Sequence, residues 1–207
     1  SFLSAILAMK TKEIAFTLPV MITLYEIMFL EGPPPKRILY LAPFLLTMSI
    51  IPLTLLTIDK PIGSLIGDVS EATRIQTAVP RVVYLFTQFR VIVTYIRLLF
   101  LPIGQNLDYD YPIYHSLINP NVFLSLVFLL LIFGLGIYLY YRSRSAADYR
   151  LISFGIFWFF ITLSVESSII PIVDVIFEHR VYLPSVGAFI TIMTSFFIAK
   201  NTLEHKW

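Results

Sequence analysis

An all-helical bundle that crosses a membrane several times is the architecture this sequence predicts, and three observations predict it. Of 207 residues, 57% are hydrophobic and only 14% charged, where soluble domains run at about 45–50% and about 25%. Mean hydropathy is +0.82. Five stretches approach the roughly 20 apolar residues that a helix needs to cross about 30 Å of hydrocarbon: residues 14–30, 38–58, 121–141, 151–165 and 185–199. The fourth and fifth are short and need neighbouring residues to complete them.

In chain order, residues 2–9 read as the end of an earlier helix, and Lys10, Lys12 and Glu13 mark the start of the first full span. Pro33-Pro34-Pro35 makes a stiff connection to the second. Pro19, Pro43 and Pro52 fall inside these helices, where bundle packing re-satisfies the freed backbone groups. Residues 82–101 are long enough to span but carry Gln88, Arg90 and Arg97, and each central Arg costs about 2.5–3.5 kcal/mol on insertion scales. Charge bias decides the point. If 82–101 does not span, Lys36, Arg37, Arg142, Arg144, Arg150, Lys200 and Lys206 all fall on one side, the cytoplasmic one by the positive-inside rule. Residues 82–101 then form an amphipathic helix at the outer interface, bounded by Pro80 and Pro102. Loops 59–120 and 166–184 lie outside, and residues 1–207 make one transmembrane domain. The first residue, Ser1, already lies in an apolar stretch with no initiator Met, which reads as a fragment of something longer.

Several classes are excluded. A net charge of +2 and no basic patch with interleaved aromatics argue against nucleic acid. With no cysteine there is no disulfide, thiolate metal site or Cys nucleophile. Nucleotide-binding glycine loops and the common hydrolase and zinc motifs are missing. Asp108-x-Asp110 lacks the spacing of a 12-residue calcium loop, so no metal is expected.

The residues that could carry chemistry cluster at the outer edge. Glu178, His179, Arg180 and Tyr182 stand between two apolar segments, and charge in such a place is a functional-site hypothesis by default. Glu178 is the candidate catalytic acid or base. Glu178 would share a face with Asp174 if that loop were helical. Arg90 and Arg97 are seven apart and share one helix face. With Lys12 and Arg180 they are candidate lipid-phosphate contacts, since a guanidinium offers a planar fork of donors. Asp108, Asp110, His179 and Tyr182 are candidate sugar or acceptor contacts, because carboxylates and phenols bond hydroxyls. The bland alternatives are snorkelling ends, lipid anchoring and structural Arg–Glu pairing.

Three segments resemble one family. Ala8-Met9-Lys10-Thr11-Lys12-Glu13 with Thr17-Leu18-Pro19 and Tyr25-Glu26 is similar to its first helix. Phe89-Arg90-Val91 through Arg97-Leu98-Leu99, Pro102 and Asp108-Tyr109-Asp110 resembles its juxtamembrane segment, and Phe177-Glu178-His179-Arg180 with Tyr182-Leu183-Pro184-Ser185 and Gly187 its most specific motif. The family is the polytopic membrane proteins with C-terminal tetratricopeptide repeats, which includes bacterial members and the transmembrane O-mannosyltransferase-like proteins of the GT-C glycosyltransferase fold. The resemblance implies the C-terminal half of such a membrane domain. It implies a polyprenyl-phosphate-linked sugar as donor, a protein or glycan acceptor and a location in the bacterial inner membrane. It also implies a catalytic carboxylate in a first outer loop and repeats after a further helix, neither of which this chain contains, so the segment alone is expected to be inactive. No cofactor is expected beyond that donor. The alternative reading is a non-catalytic scaffold or accessory subunit, touching lipids and other membrane subunits.

Overall fold

A computed structural model describes residues 2–30, 34–50, 79–106, 109–143, 147–167 and 174–204. The regular secondary structure of the described residues is all helical, with no strand among them. The chain divides into two compact units, Ser1–Ala78 and Val79–Trp207.

The first unit carries α1 (Phe2–Met9), a 3₁₀ turn (Glu13–Phe16), α2 (Thr17–Phe29) and α3 (Pro34–Thr47). Pro19 sits in the first turn of α2, where its missing N–H has no intrahelical partner to lose. Pro43 lies inside α3. Ala5, Met9, Met21 and Met28 are buried, and both α1 and α2 pack on α3. Residues 48–50 follow α3. The rest of the expected 38–58 span, and residues 59–78 of the expected outer loop, lie outside the described residues.

The second unit carries α4 (Arg81–Phe100), α5 (Pro120–Arg142), α6 (Ala147–Leu163), a 3₁₀ turn (Glu178–Val181) and α7 (Tyr182–Glu204). Asn119 caps α5 by accepting the Asn121 N–H at 3.0 Å, with Pro120 at the first helical position, the favoured place for it. Arg81–Phe100, Pro120–Arg142 and Glu178–Glu204 are each long and apolar enough to cross a membrane. On α5, Phe123, Leu124, Leu130, Leu131 and Leu135 are exposed, the outward apolar surface that lipid would cover. The expected spans 121–141 and 185–199 fall inside α5 and α7, and 151–165 overlaps α6.

The helix α4 buries one face against the rest of the second unit. Tyr84, Thr87, Gln88, Val91, Ile92, Tyr95 and Leu98 are buried along it, at the three-and-four spacing of one helix face. Val91, Ile92 and Tyr95 join Leu129, Phe159, Leu163, Ile176 and Val181 in one core cluster. The face that burial selects on α4 is therefore partly polar.

Two helices meet through glycine. Gly155 of α6 and Gly187 of α7 approach so closely that a Cβ on either would collide with the other's carbonyl oxygen, the small-residue contact typical of helices that share a bilayer. Around this point Trp158 Nε1 donates to the Leu183 carbonyl at 2.9 Å and Thr191 Oγ1 to the Ile152 carbonyl at 3.3 Å. Ser153, fully buried, ties α6 to α5 by donating to the Gly136 carbonyl at 2.8 Å.

Candidate functional site

The site is built by the polar face of α4 reaching out to the two loops that flank it in space. Thr87 Oγ1 accepts the Tyr114 N–H at 3.0 Å, and Thr94 Oγ1 lies 3.1 Å from the Tyr111 hydroxyl. Gln88, with no exposed surface, donates through Nε2 to the Val175 carbonyl at 2.9 Å. Tyr95, likewise enclosed, accepts the Phe177 N–H on its hydroxyl at 2.9 Å. These four contacts hold residues 111–114 and 175–177 against α4. Three of them answer backbone groups of the irregular segments, as burial of such segments requires.

Phe177 in turn begins the Glu178–Val181 turn, and this turn aims its side chains in different directions. Glu178 Oε1 accepts from the Tyr109 hydroxyl and, at 2.9 Å, from the Asn106 N–H. A carboxylate with two donors on one oxygen is a strong clasp, and it pins the loop after α4. That loop bends at Gly104, whose φ of +73° is the left-handed region open to glycine. Desolvation first, and then the hydrogen bond to Glu178, raise the Tyr109 phenol above its ordinary value. Desolvation also raises the Tyr111 phenol, against the lowering effects of its Thr94 hydrogen bond and of Arg90 and Arg97.

Arg180 points the other way, into the protein. It is only 5% exposed, its guanidinium lies 5.4 Å from the centre of the Phe177 ring, and it stands beside the Tyr95 hydroxyl. Its Nη1 is buried and has no hydrogen-bond partner among the described residues. An arginine stays charged under all ordinary conditions, and a buried charge is normally paired. No ion pair to Arg180 is found among the described residues. A buried cation with a donor to spare is a place for an anion.

The other expected phosphate contacts divide. Arg90 is half-buried and Arg97 exposed on α4. Both act on the Tyr111 phenol and Arg97 also on Tyr109, so the structure brings them to the same end of the second unit as the Glu178–Val181 turn. Neither guanidinium has a hydrogen bond or ion pair among the described residues. Lys12 belongs to the first unit, exposed at the extended junction before the Glu13–Phe16 turn. Of the expected sugar or acceptor contacts, His179 is exposed with its ring centre 5.0 Å from that of Phe177. Asp110 is exposed, Tyr182 is 83% exposed, and Asp108 lies outside the described residues. Asp174 stands in a bend before the turn, so it shares no helical register with Glu178. No group of three or more metal-ligating side chains occurs among the described residues.

A cleft of about 350 Å³ opens beside the clasp, lined by Gln105, Asn106, Phe177, Glu178 and His179. Its floor and walls thus come from the loop after α4 and the turn before α7. Sequence reasoning did not single out Tyr95, Phe177 or Gln105 as site residues. A usable signal existed for the first: Tyr84, Gln88, Val91, Tyr95 and Leu98 recur at helical spacing, which marks a buried face even though two of its members carry hydroxyls and one an amide.

No protein-family model matches the chain, and no match is found among curated proteins or solved structures.

Proposed function

We propose that this chain is the donor-binding part of a membrane glycosyltransferase of the GT-C type, acting on a sugar carried by a polyprenyl phosphate. The motif resemblance supplies the reaction class, and one observation carries the site: the buried guanidinium of Arg180, whose Nη1 has no partner among the described residues. In this reading Arg180 holds the phosphate, Arg97 and Arg90 add charge from α4, and the polyprenyl chain runs along the apolar helices. In the reaction an acceptor hydroxyl attacks the anomeric carbon, the bond from that carbon to the phosphate oxygen breaks, and the polyprenyl phosphate leaves. Negative charge grows on the phosphate as the bond breaks, so preorganised cations stabilise the transition state more than the ground state. The acceptor proton goes to the carboxylate that the resemblance places in another outer loop. Glu178 serves as an orienting acceptor, because its Oε1 already receives two donors. The membrane is the bacterial inner membrane in this reading, with residues 59–120 and 166–184 outside.

The test is sugar transfer by the full-length protein in membranes with polyprenyl-phosphate sugars. Arg180→Ala lowers the rate about 100-fold, the scale of one lost charge-stabilising donor, and Arg97→Ala, being exposed, costs about tenfold or less. Transfer unchanged by Arg180→Ala, with folded protein retained, overturns the phosphate role. No transfer and no lipid binding assigns the chain instead to a non-catalytic scaffold.

A further inference from the structure

The end of the second unit opposite the Glu178–Val181 turn carries its own cluster of charge and aromatic rings. Helix packing places it there. Gly155 meets Gly187 and Ile152 meets Thr191, so α6 and α7 run antiparallel. Ser153 bonds Gly136 and Ile156 packs on it, so α5 and α6 form a hairpin. The last turn of α5, the first turn of α6 and the last turns of α7 therefore share one end. The 23 residues of α5 reach about 35 Å at the usual helical rise, beyond about 30 Å of hydrocarbon. With Pro120 at one face of that slab, Arg142 stands at headgroup level on the other, the side that the charge bias assigns to the cytoplasm.

Arg142 is braced in this place. Its Nη1 donates to the Tyr138 hydroxyl at 2.7 Å, and the ring of Tyr149, from α6, has its centre 5.7 Å from the guanidinium carbon. A cation within about 6 Å of a ring centre is attracted to the ring face. A guanidinium fixed in this way still has N–H groups to offer, and the side chain remains exposed. Tyr138 and Tyr141, 54% and 72% exposed, supply the amphipathic rings that favour a membrane interface. Arg150 follows Tyr149 in α6 and is half-buried.

The charges at this end are not equally engaged. Lys200 pairs with Glu204 at 3.6 Å. Arg142 and Arg150 have no ion pair among the described residues. Asp148, exposed in the first turn of α6, pairs with neither and sits where a helix N-terminus favours an acid. Two unpaired guanidiniums beside tyrosine rings at headgroup depth suit a phosphodiester anion, because each offers a planar fork of donors to its oxygens. The exposed Leu131 and Leu135 of α5 continue the surface toward the hydrocarbon, where acyl chains would lie. The helix dipole alone would draw an arginine to the terminal carbonyls, whereas Arg142 turns to two tyrosines, one of them on the next helix.

We infer that Arg142, Arg150 and Tyr149 form a headgroup site for an anionic phospholipid, in the leaflet opposite the candidate functional site. None of the donor-binding residues takes part, so this site stands or falls apart from the reading above.

The test is competition between phosphatidylglycerol and phosphatidylcholine for the full-length protein, read as lipid retained in native mass spectrometry. Wild type prefers phosphatidylglycerol about tenfold, within what two basic groups give at an anionic surface. Arg142→Gln combined with Arg150→Gln brings the preference to about twofold or less. Lys200→Gln, whose charge is already paired, leaves it near the wild-type value. Tyr149→Leu removes the brace without touching a charge and lowers the preference about threefold, while Tyr149→Phe keeps the ring and the preference. Circular dichroism confirms that each variant keeps its helices. Millimolar inorganic phosphate, added at constant ionic strength, leaves the lipid in place. No preference in wild type, a preference that survives loss of both arginines, or an equal loss in Lys200→Gln and Arg142→Gln overturns the inference. Displacement of the lipid by inorganic phosphate assigns the arginines to a free anion and overturns it as well.

Discussion

Two regions of the second unit are held together by opposite means. Where α6 meets α7, the contact is made by absence: Gly155 and Gly187 have no side chains, and their backbones touch. Where α4 meets the loops, the contact is made by polar side chains: Thr87, Gln88, Thr94 and Tyr95 each answer a group on an irregular segment. The first contact leaves no room and no spare valence. The second leaves Gln88 Oε1 and Arg180 Nη1 buried without partners among the described residues. The difference teaches where function fits. A steric seam sets the angle between helices and tolerates nothing new, while a polar frame with unused groups can receive a ligand.

The seam breaks most easily. A Cβ at Gly187 falls against the Gly155 carbonyl and 2.8 Å from Trp158 Cβ, and the obstacles are backbone and a stiff ring that cannot yield. Gly187→Leu is expected to cost about 3 kcal/mol or more, the upper end for overpacking, and to prevent recovery of folded protein. Gly187→Ala should lower the midpoint of unfolding in a denaturing-detergent titration. A Gly187→Ala protein with an unchanged midpoint would show that the helices separate without loss, and the contrast with the α4 frame would disappear.

Legibility in the sequence follows the same divide. The helices α5 and α7 were readable because their apolar runs are continuous over the length that a hydrocarbon core demands, whichever face is covered by protein. Gly187 was visible only as part of a motif, and Gly155 not at all, because a glycine announces nothing about which backbone it will meet. The helix α4 was read from Gln88, Arg90 and Arg97 as an interfacial helix. Its arginines do lie toward the surface, exposed or half-buried. The helical spacing marks Gln88 and Tyr95 as part of one face, but what that face meets was opaque for a physical reason. A polar side chain is stable inside only if a partner arrives, and the partners, Val175 and Phe177, come from about eighty residues away. The Glu178–His179–Arg180 cluster was legible as a site, but not the opposite directions its members take.

Within the α4 frame, two substitutions sharpen the comparison. Tyr95→Phe removes the acceptor of the Phe177 N–H, and a buried donor left alone costs about 1–3 kcal/mol. The lost contact also frees Phe177, so donor binding should weaken along with the unfolding midpoint. Gln88→Leu is expected to cost less, because it removes the unpartnered Oε1 together with the Nε2 bond, and deleting an unsatisfied group offsets part of the loss. Equal midpoints for Tyr95→Phe and wild type would mean that these hydrogen bonds decorate the frame without supporting it. The link from α6 to α5 is smaller still. Ser153→Ala deletes the 2.8 Å bond to the Gly136 carbonyl and should shift the midpoint by about 0.6 kcal/mol, the average for such bonds between membrane helices.

The smallest effect is read by pH and separates the clasp from everything else in the frame. The Tyr109 phenol is raised above its ordinary value of 10.0 by desolvation and then by the hydrogen bond that it donates to the Glu178 carboxylate. Folding therefore favours the protonated phenol. Its contribution is fully present below pH 10 and is lost as the pH climbs through the raised value, where a phenolate would face a carboxylate. Between pH 7 and 9 the thermal midpoint of wild type should carry no slope from this residue. Above pH 10 the midpoint should fall more steeply in wild type than in Tyr109→Phe, which has no proton to lose. Tyr111 is raised with the same sign but is present in both proteins, so the difference between them isolates Tyr109. Tyrosinate absorbance gives a second reading of the same quantity. Subtracting the Tyr109→Phe titration from that of wild type should leave one phenol that ionises above 10. A phenol titrating at or below 10 would mean that the carboxylate does not hold it in solution, and the loop carrying Gln105 and Asn106 would then stand without its clasp.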